Sequence, residues 1–182
     1  MQYKITHFPN LTDIADEYIL SVSDKILPLL SIEFDNGEKF HFILPSSKIN
    51  PLFKDEKYHG ISFHLNQDFK YFLTSNRIDI LENTSFEEDI FWSDNVEQYE
   101  EQKEKFLSNN KNISTILENT LSNIKGKPNW VQNDETPQNS NGKNMEFIGQ
   151  LYIGSYIDDI DTDIFLFYSK TDNIVVQIYQ FG

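Results

Sequence analysis

The stretch Leu30-Ser31-Ile32-Glu33-Phe34-Asp35-Asn36-Gly37-Glu38-Lys39-Phe40-His41-Phe42-Ile43-Leu44 decides the fold class. Residues 30–34 and 39–44 are rich in apolar and aromatic side chains. Between them Asp35-Asn36-Gly37 is a strong turn signal, because Asn and Gly tolerate the positive φ of tight hairpin turns. An antiparallel hairpin results, and Pro45 closes its second strand. Upstream, Leu11, Ile14, Ala15, Tyr18, Ile19, Val22 and Ile26 recur at helical spacing, with Asn10 or Thr12 as N-cap and Pro28 near the end. This predicts a first amphipathic helix. Downstream, Ile61, Phe63 and Leu65 alternate with polar positions in a strand over 58–65, and 69–81 supplies one or two more.

From Asp94 to Asn109 the chain is highly charged, with Val96, Tyr99, Phe106 and Leu107 on one side, the pattern of a solvent-facing helix. A second helix follows from Ile113, Ile116, Leu117, Leu121 and Ile124, with Asn112 or Ser114 as cap, Gly126 as the C′ residue and Pro128 just beyond. The loop 133–144 contains Pro137, Gly142 and no apolar residue, so it cannot bury itself; loops of this length are either functional or disordered. Strands then follow over 146–152, 163–168 and 174–181. The class is α+β, an N-terminal helix and antiparallel meander, two central helices and C-terminal antiparallel strands. The 182 residues fit one domain, which admits a subdivision into 1–92 and 93–182.

Composition excludes several kinds of chemistry. Without cysteine there are no disulfides, zinc ribbons, iron–sulfur ligands or thiol nucleophiles. Asp13, Asp16 and Glu17 interrupt the apolar positions that a signal peptide needs, and no run approaches a membrane helix, which places the protein in the cytoplasm. The triplets at Asn10, Asn83 and Asn112 therefore carry little weight as glycosylation acceptors. With 29 acidic against 15 basic residues the formal net charge is −14, and Arg77 is the sole arginine. That field repels nucleic acid and steers basic proteins inward, although solubility alone also accounts for such a charge.

His7, His41, His59 and His64 sit beside no nucleophile motif, and the dispersed glycines form neither a P-loop nor a dinucleotide fingerprint. In Asp158-Asp159-Ile160-Asp161-Thr162-Asp163 the alternating carboxylates suggest a calcium loop. The reading fails because Ile164 stands where glycine is needed and Lys170 where glutamate is needed; a solvated acidic turn between strands remains. Neither a metal nor a cofactor is expected. Phe91-Trp92 fits no predicted element.

The segment Ile124-Lys125-Gly126-Lys127-Pro128-Asn129-Trp130-Val131-Gln132, then Asp134-Glu135-Thr136-Pro137 and Met145-Glu146-Phe147-Ile148-Gly149-Gln150-Leu151, resembles the YwqG-like family of bacterial proteins. The family carries Gly-Gly-x-Pro-x-Trp-x-Gln, then Met-x-Phe-x-x-Gln-Leu, then an aromatic strand that 165–168 matches. The likeness covers the last third of the chain. Lys127 replaces the second glycine and the Cys-x-x-Cys of many relatives is absent, so no metal-linked role carries over. Some relatives look like immunity proteins encoded beside bacterial toxins.

Two readings of function follow. One is a non-enzymatic protein-binding module, an immunity protein that meets a basic toxin domain through an acidic face of Glu87, Glu88, Asp89, Asp158, Asp159 and Asp161. The other is a ligand-binding or enzymatic cleft near Trp130, Gln132, Asp134, Glu135 and Gln150. In the structural alternative for that second set, Trp130 anchors the core while Gln132 and Gln150 satisfy buried backbone groups.

Overall fold

A computed structural model describes residues 2–55 and 57–182. In chain order the elements are β1 (Tyr3–His7), α1 (Leu11–Ile14), α2 (Glu17–Leu20), β2 (Ile26–Phe34), β3 (Lys39–Pro45), α3 (Asn50–Phe53), β4 (Ile61–Leu65) and β5 (Tyr71–Phe72). They continue with α4 (Ser75–Asn83), α5 (Trp92–Leu107), α6 (Lys111–Glu118), β6 (Leu121–Ser122), β7 (Glu146–Tyr152), β8 (Thr162–Ser169) and β9 (Ile174–Phe181). The fold is α+β. A three-stranded antiparallel sheet, β1-β2-β3, packs against a six-stranded sheet, β5-β4-β9-β8-β7-β6, which draws strands from both halves of the chain. Among the described residues no helix is long and apolar enough to cross a membrane.

The hairpin forms as its turn dictates, with Gly37 at φ +84° and β2 paired to β3 from Glu33↔Lys39 to Ile26↔Pro45. The expected helix over 11–26 is instead two single α-turns followed by a 3₁₀ turn at Ser23–Lys25. Ala15 leaves the helix to bridge Tyr71, Asp16 caps the second turn by accepting from the Ile19 N–H at 2.9 Å, and Ile26 already belongs to β2. The apolar spacing there marks burial, not a continuous helix. The short β1 was not foreseen, and 75–83 is helix where a strand was expected.

The second central helix ends early, at Glu118, so that Leu121 can pair with Leu151 in the sheet. Its N-cap is Asn110, whose side chain accepts from the Asn112 and Ile113 N–H groups, and Gly126 lies in a turn closed by Asn123. Leu107 faces solvent rather than the core.

Alternation along β8 and β9 gives the large sheet two apolar faces. Ile164, Leu166, Tyr168 and Val175 face the small sheet, whereas Phe165, Phe167, Val176 and Ile178 form a second cluster on the opposite face. Gly60 allows the chain to approach β9 closely, since a Cβ there would lie 2.0 Å from the Gln177 carbonyl oxygen.

Between the sheets, the outer edge of β3 is buried, and its backbone groups must be paired or lose about 1–3 kcal/mol each. Tyr71 serves residue 41: its hydroxyl accepts from the His41 N–H at 3.0 Å and donates to the His41 carbonyl. Gln177, 0% exposed, serves residue 43, accepting from the Ile43 N–H and donating to its carbonyl, both at 2.9 Å. A side-chain amide thus replaces a missing strand.

The His41 ring lies between Ser31 Oγ at Nδ1 (2.8 Å) and the Phe69 carbonyl at Nε2 (3.0 Å). The carbonyl can only accept, so Nε2 carries the proton and Nδ1 accepts from Ser31. Burial lowers the His41 pKa from 6.5 to about 4, and burial does the same to His7.

Replacing Gln177→Met should cost about 1–3 kcal/mol in urea denaturation, because the buried Ile43 N–H loses its partner while the Ile43 carbonyl keeps the Tyr179 hydroxyl at 2.9 Å, whereas exposed Gln132→Met should change stability by under about 0.5 kcal/mol. Below pH 6.5 the unfolded state binds protons that buried His41 refuses, so stability must fall as pH drops from 6.5 toward 4. His41→Gln, which has no proton to gain, should be less stable at pH 7 but show a flatter decline of the urea midpoint over that window.

Candidate functional site

The residues around Trp130 form a strap across the outer face of the large sheet. The Trp130 ring stacks on Phe165 at 4.5 Å and 25° and on Phe167 at 5.7 Å and 15°, which covers the second apolar cluster. Two glutamines of the sheet hold the strap's backbone. Gln150 Oε1 accepts from the Asn129 N–H at 3.2 Å, and its Nε2 donates to the Asn129 carbonyl at 3.4 Å. Gln180 Oε1 accepts from the N–H groups of Val131 and Gln132, both at 3.0 Å, and its Nε2 donates to the Asn133 carbonyl at 2.7 Å.

The Gln132 side chain donates to the Phe181 carbonyl at 3.2 Å. Asp134 caps its own turn, accepting from the Thr136 N–H and hydroxyl, and these bonds hold its carboxyl below the ordinary range. Glu135 accepts from Gln180 at 3.4 Å. The structure therefore brings Trp130, Gln132 and Gln150 together as a fastening. Asp134 and Glu135 face a separate polar hollow beside Tyr58 and His59.

Of the acidic residues, Asp89 lines a cavity elsewhere. That cavity, of about 410 Å³, opens at one end of the seam between the sheets. Ile61, Ile153 and Thr162 make its buried base; Leu44, Pro45 and Trp92 make a wall. Asp89, Ser47, Asn50 and Asn95 bring polar groups to it, and Phe91 and Phe181 line it while remaining 69% and 64% exposed. Ile90, beside them, is 77% exposed.

The segment 87–89 reaches this cavity through Asp89. Its Oδ2 accepts from the hydroxyls of Ser46 (3.0 Å) and Ser47 (2.9 Å), and Oδ1 accepts from the Phe91 N–H (3.2 Å). Partial desolvation pushes the Asp89 carboxyl up, but the Ser47 and Ser46 hydroxyls, the Phe91 N–H and the Lys48 charge together hold it below the ordinary range. Glu87 pairs with Lys48 at 3.2 Å, and Glu88 is exposed.

The segment 158–161 arrives from the other side, because Ile160 and Thr162 line the same cavity. Asp159 accepts from Gln98 Nε2 at 2.7 Å, one turn along α5 from Asn95, and the Asp161 carbonyl accepts from the Gly182 N–H at 3.3 Å. Asp158 is exposed. Among the described residues there is no group of three or more His, Asp or Glu side chains arranged to hold a metal ion.

Of the acidic residues read from the sequence Asp89 alone lines this cavity, and its apolar lining was not foreseen. The available signal was Ile90-Phe91-Trp92, an apolar triplet at a helix start that no helical periodicity requires. Trp92 is buried with Nε1 donating to the Asp24 carbonyl at 2.8 Å, which leaves Ile90 and Phe91 turned outward.

Trp130→Ala should cost about 2–4 kcal/mol in chemical denaturation, as the loss of a large ring from a packed face does, and a Trp130→Ala protein as stable as the wild type would overturn the structural role of the strap. No family model, curated protein or solved structure matches this chain.

Proposed function

We propose that the protein is a protein-binding module whose docking face is the Phe91 cavity and its two acidic flanks. The observation that carries this reading is that Asp89 of 87–89 and Ile160 of 158–161, far apart in sequence, line one largely apolar cavity together with exposed Phe91 and Phe181. An apolar centre that excludes water inside a polar rim is the anatomy of a recognition hot spot. The charges set the partner: at a net −14 the protein steers a basic surface toward this face and repels polyanions.

An immunity protein that blocks a basic toxin domain fits these features best. The resemblance of 124–151 to YwqG-like proteins, some of which look like immunity proteins, favours the same conclusion. The alternative of a ligand cleft at Trp130 is less favoured, since the backbone and side-chain amides there already hydrogen-bond one another.

Calorimetric titration against a panel of basic toxin domains should find one that binds, with affinity falling from low to moderate salt. Phe91→Ala, at an exposed position, should leave stability unchanged and weaken that complex at least about tenfold. Glu88→Gln with Asp158→Asn should reduce the association rate and its salt dependence. No binder in the panel at low salt, or a complex indifferent to Phe91→Ala, would overturn the proposal.

A further inference from the structure

Among the described residues one long strand edge stays open. β5 and β6, at the two ends of the large sheet, are each two residues long, and the outer edge of β3 is filled by Tyr71 and Gln177. β1 is the remaining edge, five residues in unbroken register with β2 and without proline. Its ladder has a fixed parity. Gln2 accepts from the Asp35 N–H at 3.2 Å and the Phe8 N–H donates to the Leu29 carbonyl at 2.9 Å, so the even-numbered residues bond β2. Tyr3, Ile5 and His7 therefore turn their N–H and C=O groups outward, where no described backbone pairs with them. Such an edge is a template for another strand.

The residues of β1 select the strand. The chain has 29 acidic residues, yet none before Asp13, and Glu33, beside Lys4 on β2, is already paired with Lys39 at 3.3 Å. β1 is thus an edge where two copies of an acidic protein can approach. It also matches its own reverse. With Ile5 opposite the second copy's Ile5, Tyr3 meets the second copy's His7 and Lys4 meets its Thr6, so no like charges oppose. In that register Tyr3, Ile5 and His7 of each copy face the same three residues of the other, and every outward group of both strands is satisfied at once. We infer that β1 pairs antiparallel with β1 of a second copy about a two-fold axis at Ile5, joining the two small sheets into one. The edge shares no residue with the Phe91 face, so the two proposals fail separately. Tyr3, 46% exposed, and half-buried Ile5 are the apolar area on offer, which makes the dimer a dissociable one.

The full-length protein is sedimented, and its amides are followed by NMR hydrogen exchange, from about 10 μM to about 1 mM, the range in which interfaces this small associate. Sedimentation should pass from monomer toward dimer across the series. The amides of Tyr3, Ile5 and His7 should gain protection with concentration, whereas those of Lys4 and Thr6, already bonded to β2, should not. Each copy carries a net charge of −14, so added salt should strengthen the dimer, the opposite of its effect on a basic partner. Lys4 and the second copy's Thr6 form a non-hydrogen-bonded pair, the closer kind, with Cα atoms about 4.5 Å apart. Thr6→Lys, at an exposed position, sets two lysines face to face at both ends of the pairing and should weaken the dimer about three- to tenfold. Adding Lys4→Glu to that variant should restore it.

A protein still monomeric at the highest concentration and salt overturns the inference, as does a dimer whose Tyr3, Ile5 and His7 amides stay unprotected. A double variant that associates no better than Thr6→Lys alone contradicts the register and overturns it too. Protection of those three amides only when a basic domain is added would replace self-pairing with a partner's strand.

Discussion

The outer edge of β3 governs this fold. A strand buried on its open side must find partners for every outward N–H and C=O, and no strand is available there. Tyr71 and Gln177, both from the large sheet, supply them at residues 41 and 43. The pairing ties the two sheets together across a seam of buried apolar side chains. The next residue on that edge is Pro45, which has no N–H to satisfy. The seam can therefore open at Pro45 without leaving a donor orphaned, and the cavity begins there.

The same device recurs across the molecule. Beyond the two-residue β5, the edge of β4 is covered by Arg77, which donates to the Ser62 carbonyl and, at 2.7 Å, to its hydroxyl. Gln150 and Gln180 hold the strap backbone on the opposite face. These polar side chains do the work of neighbouring strands, which is why a motif rich in Gln and Trp reads as a binding site and acts as a fastening. With its one arginine buried, the chain presents lysine as its only permanently charged basic side chain at the surface.

What could be read in advance follows from the range of the forces involved. The hairpin at Asp35-Asn36-Gly37 and the three C-terminal strands depend on local turn chemistry and alternation, and both are present as expected. The helix over 11–26 is not, because the Ala15 bridge to Tyr71 and the pairing of Ile26 with Pro45 are long-range contacts that override local spacing. Leu121 likewise leaves helical register to pair with Leu151. The candidate site divides the same way. Its carboxylates are visible as runs, but Asn50, Thr162 and Phe181 come from separate elements, and only the sheet topology brings them together.

The central claim is that recognition takes place at the open end of the seam and not on the Trp130 strap. Amide hydrogen exchange, free and with the tightest-binding basic domain, tests it most directly. The account requires new protection over 88–95, 158–162 and 179–181, with 123–138 unchanged. Protection concentrated on 123–138, with the Phe91 segment exchanging as in the free protein, would contradict it.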